Sequence, residues 1–190
     1  ALGQVRRATG LARQALAHDP RHASWYNWLA TYLTGLGRMD EARQAIDTAI
    51  VLRPGAVASH EQATIVSILR GDPRAALADA QHEVAGVWRD VAVTMALQIG
   101  PDRAAADAAL KDLITRHAGK APYQIAEVYA LRTSPDNMFQ WLDRAWASGD
   151  PGIAYLLFDP MILRYRHDPR FAAFCKKVGL PTATDAVAMQ

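Results

Sequence analysis

Apolar positions along the chain recur at three- and four-residue spacing, and short clusters of Gly, Pro and Asp interrupt them. That pattern predicts amphipathic helices joined by turns. The clearest stretch, 23–54, reads ASWYNWLATYLTGLGRMDEARQAIDTAIVLRP, with two helix-period segments meeting at Gly35 to Asp40. Tyr26, Leu29, Ala30 and Leu33 fall on one face of the first segment, and Ala42, Ile46 and Ala49 face them from the second. Alanine at the facing positions lets two helix backbones approach closely. Gly37 suits a tight turn with positive φ, Asp40 stands near the start of the second helix, and Pro54 stops it.

This hairpin is one copy of a repeat. Gly3, Gly37 and Gly71 are 34 residues apart, as are Ala8, Ala42 and Ala76; Ala15 pairs with Ala49 and Pro20 with Pro54 at the same interval. The stretch from Leu2 to Pro20 supplies only a second helix, so the chain is expected to open inside a repeat. Ala1 is not an initiator methionine and no signal-peptide order follows it, so an upstream segment is expected.

The order small, Gly, Ala, Ala, Pro in 23–54 resembles the tetratricopeptide-repeat pattern, with Tyr26 in place of the usual tryptophan. The copy from Val57 to about Asp90 keeps Gly71 and Ala76 but has His60, Ala63, Thr64 and Ser67 where larger apolar groups are usual. Further pairs are expected over 87–99 with 102–117, joined at Gly100-Pro101, and over 123–131 with 137–146, where Met138 replaces an alanine of the pattern. The resemblance implies an all-α, TPR-like right-handed α-solenoid of stacked antiparallel helix pairs over 1–148, each pair burying the apolar face of its neighbour.

From Gly149 the repeat breaks, and GDPGIAYLLFDPMILRYRHDPRFAAFCKKVGLP follows, with Asp-Pro at Asp150, Asp159 and Asp168. Aspartate as an N-cap followed by proline at the first helical position predicts short helices after each pair. Leu156, Phe158, Met161, Leu163, Phe171 and Phe174 are expected to cover the last hairpin, making 149–181 a helical cap and leaving 182–190 as a flexible tail. The segments FDP, RHDPRF and VGLP, with YQIAEVYALR before them, resemble the ending of bacterial multidomain regulators that carry C-terminal tetratricopeptide arrays. In those architectures the effector is a nucleotide cyclase, a winged-helix factor or a Ser/Thr kinase. The resemblance implies a regulatory or scaffolding appendage.

Composition narrows the chemistry. The 190 residues are 51% hydrophobic with a formal charge of +2, which fits one globular domain and argues against a dedicated nucleic-acid surface. Arg6-Arg7 and Lys176-Lys177 are short clusters at opposite ends with no aromatic platform. No apolar run approaches the ~20 residues of a membrane span. The lone Cys175 excludes an internal disulfide and reads as a small apolar cap residue, despite Lys176 and Lys177 beside it. His18 and His22 are separated by Pro20, and His60, His82, His117 and His167 form no metal box. Asp40 and Glu41 answer a helix dipole. No phosphate loop is present. The chain therefore reads as a non-catalytic module with no cofactor and no metal.

A binding groove is expected on the surface lined by the first helix of each pair, one position beyond the core set: Asn27, Thr31 and Thr34; Glu61, Ile65 and Ile68; Asp90, Thr94 and Leu97; Tyr123 and Glu127. The bland alternative is that the chain's own tail fills it. Family members that bind chaperone tails grip a carboxylate with Lys, Arg and Asn, a clamp absent here; Glu61, Asp90 and Glu127 favour a protein or peptide partner with apolar and basic groups. Trp25 and Trp28 read as packing or edge residues. Two alternatives stand beside the interaction module: self-association through uncovered faces near Val5 and Leu11, giving a homo-oligomer, and a small-molecule-sensing solenoid, which requires an enclosed pocket. A cytoplasmic location is expected, or a periplasmic one should an upstream segment carry a transmembrane helix.

Overall fold

A computed structural model describes residues 3–181; the expected 182–190 tail lies outside the described residues. Among the described residues the chain is all helical: α1 (Val5–His18), α2 (Ala23–Gly35), α3 (Met39–Leu52), α4 (Ser59–Leu69), α5 (Pro73–His82), α6 (Val87–Gln98), α7 (Arg103–His117), α8 (Pro122–Leu131), α9 (Pro135–Ser148) and α10 (Pro169–Lys177). Two 3₁₀ turns, Pro151–Tyr155 and Ile162–Tyr165, lie between α9 and α10. Helices adjacent in sequence pack together, giving the hairpins α2/α3, α4/α5, α6/α7 and α8/α9, while the first helices α2, α4, α6 and α8 also touch one another in order. The result is a TPR-like solenoid with one layer of first helices and one of second helices.

The period has a backbone cause. Gly3, Gly37 and Gly71 adopt φ of +71°, +73° and +72°. This left-handed conformation ends a helix cheaply only where there is no Cβ. After α2 the Arg38 N–H donates to the Leu33 carbonyl at 2.9 Å, and after α4 the Asp72 N–H donates to Ser67 at 3.0 Å, so the last carbonyls of both helices are satisfied alike. At the α8/α9 turn Thr133 takes φ +54° and the Ser134 N–H repeats the bond to Tyr129.

Alanine sets the spacing within pairs: Ala30, Ala42, Ala63, Ala76, Ala126 and Ala145 are all fully buried. The core falls into two clusters that meet at α4, with Ala63 and Val66 in the N-terminal one and Ile68 in the other. There the small and polar residues of the weaker repeat require polar ties. Arg43 of α3 donates to Asp79 of α5 at 2.7 Å, and the Ser67 hydroxyl donates to the same carboxylate at 2.7 Å, joining three helices.

Two helix starts are capped from a distance. The Glu83 carboxylate, buried after α5, accepts the Ala58 and Glu61 N–H groups, each at 2.9 Å. This holds Ala58 at φ +67° and answers the N-terminus of α4. In the last hairpin Asp150 accepts the Tyr123 N–H at 3.1 Å, and also caps the following turn through Gly152 at 2.7 Å.

The three Asp-Pro aspartates each accept an N–H two residues on, at Gly152, Met161 and Arg170. Phe171, Phe174 and Cys175 of α10 enter the core. The segment 151–165 does more than cover the last hairpin: it crosses the layer of first helices and reaches α2. Tyr155 stacks on Trp28 with ring centroids 6.2 Å apart, and Phe158 packs edge-on to Tyr32 at 6.1 Å. Two glycines permit the crossing. A Cβ on Gly152 would lie 2.5 Å from the Tyr123 side chain, and one on Gly35 would lie 2.7 Å from the Phe158 carbonyl oxygen. We call this segment the strap.

Candidate binding cavity

Between the strap and the first helices lies a cavity of about 540 Å³. Its walls come from the length of α2, from the N-terminal parts of α4 and α8, from Trp88 at the start of α6, from the 53–58 turn, and from Tyr155, Phe158, Asp159, Pro160 and Met161 of the strap. Asn27, Thr31, Thr34, Glu61, Ile65, Tyr123 and Glu127 line it, so these residues of the expected groove converge on one space.

Their chemistry differs from that of an open groove. Asn27 donates to the Ser59 hydroxyl at 3.3 Å, Thr31 donates to the Gln62 side chain at 3.0 Å, and Gln62 donates to Thr34 at 3.2 Å. This polar ladder between α2 and α4 consumes most of the hydrogen-bonding capacity expected to face a partner. Ile68 is buried in the core, and Leu97 is half-buried away from the cavity. Asp90 and Thr94 turn toward α7: Asp90 meets His117 Nε2 at 2.8 Å and Arg116 at 3.0 Å, and the Thr94 hydroxyl, bonded within its own helix to the Asp90 carbonyl at 2.7 Å, also reaches the Ala109 carbonyl of α7 at 3.5 Å. In α6 it is Trp88 that reaches the cavity, two residues before Asp90 and so on the opposite side of the helix from it.

Three carboxyl groups, Glu61, Glu127 and Asp159, stand among the hydroxyls and amides of the polar lining. Glu61, 8% exposed, is pushed up to about 8 by burial, with Glu83 and Asp159 adding repulsion. Burial, then Asp159 and Glu61, hold Glu127 well above the carboxylate range. Glu127 and Asp159 stand close enough that each raises the cost of ionising the other, so burial and mutual repulsion favour a protonated form of the pair. Asp159 also accepts the Tyr123 hydroxyl at 2.9 Å and the Met161 N–H at 2.8 Å. Its own shift is upward through burial, with these bonds pulling the other way. The basic side chain on the lining is Arg53, exposed at the rim.

The tetratricopeptide repeat family model matches residues 1–57. No curated protein matches the chain. That matched stretch contains α1, the α2/α3 hairpin and two of the left-handed glycines, Gly3 and Gly37. Residues 1–57 match the tetratricopeptide repeat, and the helix pairs that follow stack in the same order. Such repeats are protein-interaction modules that generally act without catalysis. Among the described residues, no group of three His, Cys, Asp or Glu side chains is placed to hold a metal ion, and no helix is long and apolar enough to cross a membrane. Cys175 is fully buried and its thiol is pushed up to about 11 by burial. Val5 is buried, whereas Leu11 is 57% exposed. Trp28 lies at the cavity wall, half covered by Tyr155, and Trp25 stands beside His22 with ring centroids 5.7 Å apart.

Sequence reasoning missed Trp88, Arg53, Tyr155 and Asp159 as lining residues. Tyr155 and Asp159 stand in a segment whose turn chemistry was legible. The signal for their second role, an Asp-Pro aspartate flanked by aromatic residues in a tail with a groove to fill, was weak because nothing local specifies where such a tail travels.

Proposed function

We propose that the array is a non-catalytic interaction and scaffolding module, the regulatory C-terminal part of a larger bacterial signalling or transcription-regulating protein. The tail residues FDP, RHDPRF and VGLP support the bacterial-regulator reading. The observation that carries the interaction reading is the strap itself. A segment of the chain lies across the layer of first helices, where this fold presents its binding face, and aromatic side chains and a shared carboxyl cluster hold it there. A partner segment with apolar and basic groups takes the place of the strap, its cations meeting Glu61 and Glu127.

The test is selection of peptides from a displayed random library against the whole chain, followed by titration of the winners. Apolar sequences with Lys or Arg are expected, losing about tenfold in affinity against a Glu61→Gln, Glu127→Gln variant. Acidic winners, or unchanged affinity for the variant, reject the groove assignment. A second reading, a small-molecule-sensing solenoid, is favoured by the partly open cavity between strap and helices.

A further inference from the structure

The carboxyl groups around the cavity divide into those the fold uses and those it does not. Glu83 and Asp150 are spent on helix N-termini, where they accept backbone N–H groups of α4 and α8. The dipoles of those helices are thereby answered without Glu61 or Glu127. Asp159 caps the strap and takes the Tyr123 hydroxyl. Glu61 has no such duty. The residue is more than nine-tenths buried and lines the cavity, and its carboxyl group makes no ion pair and accepts no protein hydrogen bond among the described residues. Its oxygens are not among the fully buried atoms left without a partner, so they open onto the cavity, where a ligand's donor can reach them.

The rest of the wall suits a cation as well. Trp28 and Tyr155 lie nearly parallel, 11° apart, and Trp88, Tyr123 and Phe158 add further aromatic surface. Aromatic faces attract cations through the ring quadrupole, more strongly where water is excluded. A space of about 540 Å³ lies within the range of small-molecule sites and is far too large for a bare ion, so the ligand carries an apolar body. Arg53, on the exposed rim, forms no ion pair with these acids among the described residues, so its positive charge stands in solvent at the mouth and leaves the acidic floor to a cation.

We infer that the cavity beneath the strap binds a compact organic cation, an alkyl- or arylalkyl-ammonium, with Glu61 receiving the ammonium and the Trp28, Tyr155 and Trp88 side chains enclosing its apolar body. This goes beyond the protein-docking reading and stands without it, since the ligand enters with the strap in place. The ammonium group comes from a free amine or from the lysine of a partner. Binding also moves a proton. In the empty site Glu61, with its raised pKa, is mostly neutral at pH 7. A bound ammonium draws it to the carboxylate, and the proton leaves to the buffer.

The experiment is isothermal titration of the full chain at pH 7 with 2-phenylethylammonium, its neutral isostere 2-phenylethanol, and Nα-acetyl-lysine methylamide. The ammonium is expected to bind at least about tenfold more tightly than the alcohol. Its apparent enthalpy is expected to change between phosphate and Tris, reporting the released proton. Glu61→Gln is expected to abolish the preference for the ammonium with the far-UV circular dichroism unchanged. Trp28→Leu, at a position 40% exposed and so tolerant of change, is expected to weaken all three probes. The tighter of phenylethylammonium and the lysine derivative identifies the source as a free amine or a partner's side chain. Equal affinity for amine and alcohol overturns the inference, as does no amine binding at about 10 mM or a preference that survives Glu61→Gln. None of these readouts involves a protein partner, so failure of the docking reading leaves them unaffected.

Discussion

The first helices of the array face two different surroundings. Toward their own second helices they present Leu33, Ala30, Ala126 and Ala130, meeting Ile46, Ala42, Leu142 and Ala145 in a dry, close-packed seam. Toward the strap they present Thr31, Gln62, Glu61, Tyr123 and Glu127, which meet hydroxyls, carboxyls and aromatic rings. The seam is repetitive and local, each part made by residues of one hairpin. The strap contact is made once, between the two ends of the array, and it holds the groups that titrate. Stability is thus spread along one side of these helices, and binding chemistry is concentrated on the other.

The largest effect is expected on the seam. Leu142 is fully buried between α8 and α9, beside the fully buried Ala126 and Ala145. Leu142→Ala is expected to lose about 2–5 kcal/mol, the transfer free energy of the side chain plus the cavity it leaves. Urea denaturation followed by far-UV circular dichroism checks this; a loss below about 0.5 kcal/mol would show the seam to be loosely packed and the contrast between the two sides false.

A smaller effect, confined to the other side, is expected from Gly152→Val. The new side chain collides with Tyr123, whose Cγ lies 2.5 Å from the position of the first added carbon. The strap must lift, at a cost of about 1–3 kcal/mol, while the helix pairs stay intact. Hydrogen exchange is expected to speed up over 151–165 and to stay unchanged in α2 and α3. Loss of protection throughout would mean that the strap is part of the cooperative core.

These two sides were not equally legible. The hairpins followed from the 34-residue spacing, because each left-handed glycine and each buried alanine is a local requirement that recurs wherever the hairpin does. The caps after Asp150, Asp159 and Asp168 were legible for the same reason. Helical phase brought Asn27, Thr31, Thr34, Glu61, Ile65, Tyr123 and Glu127 to the cavity side of α2, α4 and α8, but it put Ile68 there too, which lies in the core. On α6 the rotation differs: Asp90 and Thr94 turn to α7, and Trp88 lines the cavity. The crossing of the strap had no periodic signal. It depends on Gly35 and Gly152 leaving room at two distant points, and a glycine in a sequence does not announce what will pass over it.

The smallest effect tests whether the strap side carries a cost that depends on pH. Glu61 holds its proton in the folded chain up to about 8, against an ordinary value of 4.5 once unfolded. Between those values the folded state binds more protons than the unfolded one, so stability falls as pH rises. The contribution is fully present below 4.5 and is lost as pH passes through 8. Glu127 and Asp159, also raised by burial, act in the same direction, while His60, lowered by burial, adds stability as pH rises toward its ordinary 6.5. The difference between the wild-type chain and Glu61→Gln isolates the one group, since glutamine does not titrate. Because the Glu61 side chain borders a cavity large enough for water, its share is expected on the order of 1 kcal/mol rather than the full value of a dry site. Thermal denaturation at pH 5 and pH 8.5 is therefore expected to show the variant gaining on the wild type as pH rises. A constant gap would mean that Glu61 is solvated like a surface carboxylate and that the two sides of α4 do not differ in this respect.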